Sequence, residues 1–88
     1  MPKPIPAAER ILRARALIQK ARDHPVPVEG EGGKHNFSYI AQVKDLLRQA
    51  RDLVKFIPMT AGVSAEMKAE VKKVFQEIEQ AGQEILGG

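Results

Sequence analysis

Cysteine and tryptophan are missing from this 88-residue chain, and Phe37, Tyr39, Phe56 and Phe75 are its only aromatic residues. Without cysteine there can be no disulfide, thiolate zinc site, iron–sulfur cluster or cysteine nucleophile. So few rings leave little on which nucleotides or sugars could stack. Hydroxyl nucleophiles other than Tyr39 are limited to Ser38, Thr60 and Ser64. A long hydrophobic run is lacking as well. The apolar residues from Ile5 to Ile18 are interrupted by Glu9, Arg10, Arg13 and Arg15, so they form neither a signal-peptide core nor a membrane span. A cytoplasmic protein with no membrane partner is the expectation.

At this length the chain, residues 1–88, is a single helical domain. It buries only about 60–65% of the surface that its unfolded form exposes. The apolar share of 43% and charged share of 28% are those of a globular protein, which argues against a wholly disordered chain.

Sustained strand-like alternation is also absent, and the aliphatic residues recur every three or four positions. Tyr39, Val43, Leu46, Ala50, Leu53 and Ile57 run 4-3-4-3-4, with Ile40, Leu47 and Val54 alongside. At 100° per residue these nine positions span an arc of about 140°, the width of a core-facing stripe. Asn36 or Ser38 can cap this helix and Pro58 stops it. Met67, Val71, Val74, Ile78, Ala81 and Ile85 repeat the spacing, with Phe75 and Leu86 on one flank and Ser64 as N-cap. Gly82 lies inside this second pattern at a cost of about 1 kcal/mol relative to alanine. It reads as a tolerated glycine or early fraying, or else as a place where another helix comes close.

An earlier stripe, Ala7, Ile11, Ala14, Ile18 and Ala21, keeps the period but is mostly alanine. It should bury less surface and attach less firmly than the other two. Pro6 suits its first turn, and His24-Pro25-Val26-Pro27 ends it. The expected fold is therefore an all-α three-helix bundle, with helices at about 6–23, 37–57 and 64–86. The short link from Pro58 to Val63 makes the second and third helices an antiparallel hairpin. The Pro/Gly-rich segment 24–35 reads as a flexible loop. It is long enough to allow either direction for the first helix, which leaves completion of the bundle by dimerisation open.

Candidate chemistry is thin. Gly30–His35 (GEGGKH) resembles a phosphate loop only in part. Val28 stands where a P-loop has its first glycine, and His35 replaces the serine or threonine that binds magnesium. The loop amides could still form an anion nest, but a tether is the simpler reading. His24 and His35 have only Glu29 and Glu31 nearby, too weak a pattern for a metal site. No pairing of histidine with carboxylate follows from spacing, so no catalytic residue, cofactor or metal is assigned and the chain is not read as an enzyme.

Charge is distributed unevenly within a net of +3. Residues 1–22 carry Lys3, Arg10, Arg13, Arg15, Lys20 and Arg22 against Glu9 alone. Residues 58–88 carry Lys68, Lys72 and Lys73 against Glu66, Glu70, Glu77, Glu79 and Glu84. The first helix's arginines flank its apolar stripe on both sides, the pattern of solvated helix edges. A small basic nucleic-acid-binding protein is accordingly the alternative reading. The favoured one is a non-catalytic helical protein acting through protein–protein association, as a homodimer or docked on another helical protein. Leu12 and Phe56 point away from their helices' apolar arcs and are the expected interface residues.

Overall fold

The computed structural model describes residues 6–87, so Lys3 and Gly88 lie outside the described residues. Three helices dominate: α1 (Ala7–Asp23), α2 (Phe37–Val54) and α3 (Ala65–Leu86), with no strand among the described residues. The protein is an all-α three-helix bundle.

Local chemistry sets each boundary. Pro6 stands just before α1 rather than within its first turn, and its carbonyl accepts from the Arg10 amide at 3.0 Å. After Asp23, Pro25 pushes His24 out of the helical region to φ −61, ψ 126. Asn36 caps α2, its Oδ1 accepting from the Tyr39 amide at 3.0 Å. Ser64 does the same for α3, accepting from the Met67 amide at 3.1 Å. The α2 helix ends at Val54, three residues short of the expected Ile57. Pro58 accounts for this, because a helical proline ring collides with the carbonyl four residues earlier, here that of Val54. The chain instead closes a 3-10 turn over Ile57–Met59, with Ile57 still buried.

Segment 24–35 does not run as an extended tether. It folds into two 3-10 turns, Glu29–Glu31 and Gly33–His35, joined through Gly32 at φ 102. A side chain on Gly32 would be strained by that angle and would meet the Asn36 backbone at 3.2 Å. Asn36 also donates from Nδ2 to the Glu31 carbonyl, which fastens the loop to the start of α2.

Contacts between helices fix their directions. His24, just past α1, packs edge-on against Tyr39 in the first turn of α2, with ring centroids 5.7 Å apart. Arg15 reaches Glu70 and Glu77, and Arg22 reaches Glu84, so α1 and α3 run parallel. Gly82 lies beside Leu47, and Ile78 and Leu86 line one groove with Arg51 and Lys44, so α2 opposes α3. The topology is up-down-up, and α2 and α3 form the expected antiparallel hairpin.

The core contains Ile11, Ala14 and Ile18 from α1, Val43, Leu47 and Val54 from α2, and Val71, Val74 and Ala81 from α3. Leu46 and Leu53, placed on the central seam by their spacing, are only half-buried. Because α2 is wedged between two neighbours, the centre of its buried arc moves to Val43, Leu47 and Val54. The alanine-rich first helix is not set apart from the other two. α1 packs along α2 more extensively than α3 does. Ala14 and Ala21 are completely buried, and such small side chains let helix axes approach closely.

Candidate interaction surface

The side chains expected at an interface are exposed. Leu12 is 67% accessible on the outer face of α1, and Phe56 is 58% accessible beyond the end of α2, with Lys55 Nζ 5.0 Å from its ring centre. Phe37, at the start of α2, and Met59, in the 3-10 turn, are more exposed still, at 90% and 78%. Sequence reasoning passed over both, Phe37 as the first residue of its helix and Met59 as part of the link that follows it.

The glycine loop offers little to an anion. The amides of Glu31, Gly32, Gly33, His35 and Asn36 all donate to carbonyls within residues 28–33, at 2.9–3.2 Å. Donors spent on the loop's own turns are not free to cradle a phosphate. Among the described residues, no group of three or more histidine, aspartate or glutamate side chains could hold a metal ion. Ser64 is engaged as a cap, and Thr60 Oγ1 donates to the Phe56 carbonyl at 3.0 Å. No described helix is long and apolar enough to cross a membrane.

One face of α1 meets α3 through charge. Arg15 lies 2.9 Å from Glu70 and 3.2 Å from Glu77, and Arg22 pairs with Glu84 one heptad further on. The Arg15 guanidinium, followed by Lys73, holds the Glu70 carboxyl below the usual carboxylate range. Arg22, then the Gln80 amide, does the same for Glu84. In return, hydrogen bonding to Glu70 raises Arg15 against a smaller opposing effect of burial. These pairs are half-exposed, so their strength is limited by solvent and salt. Their spacing was visible in the sequence: Arg15 and Arg22 are seven apart, as are Glu70, Glu77 and Glu84. Reading those arginines only as solvated edges missed it.

The opposite side of α3 is different. Between α2 and α3 lies an open groove of about 500 Å³, floored by Leu47, Ile78, Gly82 and Leu86. Lys44, Arg48 and Arg51 line its α2 wall, and Glu79 is the sole acid among its lining residues. Arg48 is paired with Asp45 on its own helix, whereas Lys44 and Arg51 have no ion-pair partner among the described residues. With Lys55, these residues repeat 4-3-4 along α2, which at 100° per residue is a basic stripe about 60° wide. That stripe is a further feature sequence reasoning missed, since its search for a basic face stopped at α1. Phe75 continues the apolar surface beside Arg51, Ile78 and Glu79.

The chain matches no protein-family model, no curated protein and no solved structure.

Proposed function

We propose that this protein is a non-catalytic helical module that acts by associating with proteins, either a second copy of itself or a helical partner. What supports the reading is the apolar surface that the three-helix core leaves uncovered. Phe37, Met59, Leu12 and Phe56 are all more than half accessible. Of these, Phe56 and Met59 share one 3-10 turn beyond the end of α2, and large apolar side chains left exposed side by side favour an interaction role, where single scattered ones do not. The lack of cysteine is in keeping with a cytoplasmic setting.

Light scattering coupled to size exclusion tests self-association. The expected result is a homodimer, reduced by Leu12→Glu with Phe56→Lys to a folded monomer that keeps its helicity. A parent that is monomeric at micromolar concentration and above would remove the self-association branch. The basic stripe on α2 favours a second reading, nucleic-acid binding. Titration with single-stranded and duplex oligonucleotides at two salt concentrations separates the readings, because phosphate contacts weaken steeply as salt rises.

A further inference from the structure

We propose that the groove between α2 and α3 is the docking site for one amphipathic helix of a partner protein, with acidic residues along the flank that meets α2. The inference rests on the association reading above and gives it a location and a partner chemistry.

Three observations point to this occupant. The floor, Leu47, Ile78, Gly82 and Leu86, is apolar and open to solvent on one side, as a helix ridge requires. The α2 wall is basic, and Lys44 and Arg51 lack ion-pair partners among the described residues. Carboxylates spaced three and four apart on a docked helix would face them.

Gly82 is the third observation. It lies in the groove floor, within α3, and the nearest atom to a Cβ placed there is Leu47 Cδ1 at 3.7 Å. Neither backbone strain nor crowding within the chain calls for glycine at that point. Its missing side chain keeps the floor deep enough for another helix to come close. The sequence alone left a tolerated glycine and a close approach as alternatives. The second holds here only if the approaching helix comes from outside the chain.

A second copy fits this groove poorly. Two grooves facing each other about a two-fold axis across them would bring Lys44, Arg48 and Arg51 of both chains together, which like charges oppose, and an axis along them would offer those three basic residues only Glu79. Nucleic acid would suit the basic wall but has no use for the apolar floor.

The test is a phage-displayed library of amphipathic helices about 15 residues long, with leucine fixed along one face and the flanks randomised, panned against the full chain. Selected peptides are then measured by fluorescence anisotropy. Acidic residues should be enriched on one flank. Binding should weaken about tenfold or more with Lys44→Glu plus Arg51→Glu, and similarly with Gly82→Leu, while Leu12→Glu changes nothing. Circular dichroism checks that Gly82→Leu still folds, and the double charge reversal, confined to exposed side chains, stands if it does not. Peptides without acidic bias, or indifferent to both groove variants, would overturn the proposal. Binding lost only with Leu12→Glu would overturn the groove and leave association intact. Failure to select any helix, with a monomeric parent, would remove both. An oligonucleotide bound more tightly than any selected helix, and released by the charge reversal, would give the groove to nucleic acid instead.

Discussion

Replacing Gly82 with alanine should make the protein more stable. An alanine in a helix interior is favoured over glycine by about 1 kcal/mol, chiefly because the unfolded chain loses less freedom on folding. The added methyl has room, since its nearest neighbour would be Leu47 Cδ1 at 3.7 Å, an ordinary van der Waals distance. The site is half-buried, so covering that methyl contributes about half of the roughly 0.8 kcal/mol of a fully buried carbon. The sum is about 1–1.5 kcal/mol. For a domain of this size that should raise the melting temperature by about 5–10 °C. Urea titration and thermal melting followed by far-ultraviolet circular dichroism measure it, with an unchanged denaturant slope showing that the unfolded state is comparable. A neutral result would mean that α3 is frayed beyond Gly82 and that its last turns do not form a groove wall. Loss of stability would mean that the position is crowded, so that the free space beside Leu47 is not there. If the groove docks a helix, the stabilised variant should also bind more weakly, a trade between stability and function.

Two further outcomes follow from burial and charge. Ile18→Ala should cost about 2–5 kcal/mol in urea unfolding, since Ile18 is only 5% exposed, whereas Ile78→Ala at the groove floor should cost distinctly less; equal losses would contradict the burial pattern. Glu70 and Glu84 titrate below the ordinary value of 4.5 in the folded state, so their contribution is complete above that pH and disappears as pH falls through the lowered values. Arg15→Gln with Arg22→Gln should therefore flatten the acid limb of a stability–pH curve, as should about 1 M salt in the parent. An acid limb identical in variant and parent would show that the pairs contribute nothing.

The extent of the three helices could be read from residues whose effects are local. The seven-residue returns of Tyr39, Leu46 and Leu53 gave α2 its extent, and Asn36 and Ser64 cap the helices where their side chains permit. Local rules misplaced only what depends on neighbours. Pro58 acts through a collision four residues back, which is why α2 stops at Val54. The seam centred on Leu46 and Leu53 became one centred on Val43, Leu47 and Val54 because two helices press on α2 from different sides, and a helical wheel knows only one. The close packing of α1 along α2 escaped notice because alanine was weighed by the area it buries and not by the close approach it permits. The groove could not be anticipated from either helix alone. It exists because Leu47 and Gly82 meet across the hairpin, although the 4-3-4 spacing of Lys44, Arg48, Arg51 and Lys55 along its wall was open to inspection throughout.

The arginine–glutamate column between α1 and α3 has a consequence for alignment. A surface made largely of alanine is smooth, and α1 could slide along its neighbours by a heptad with little change in apolar contact. The charges do not allow that slide so freely. Moved one heptad towards the end of α3, Arg15 would find Glu77 and Glu84, but Arg22 would pass beyond Leu86, where α3 ends, and Glu70 would lose its arginine. Moved the other way, Arg15 would keep only Glu70 and Arg22 would take Glu77, leaving Glu84 without an arginine. Only the observed alignment occupies all three glutamates with both arginines. Weak as each pair is, together they act as a vernier, choosing among positions that the alanine face alone would leave nearly equal.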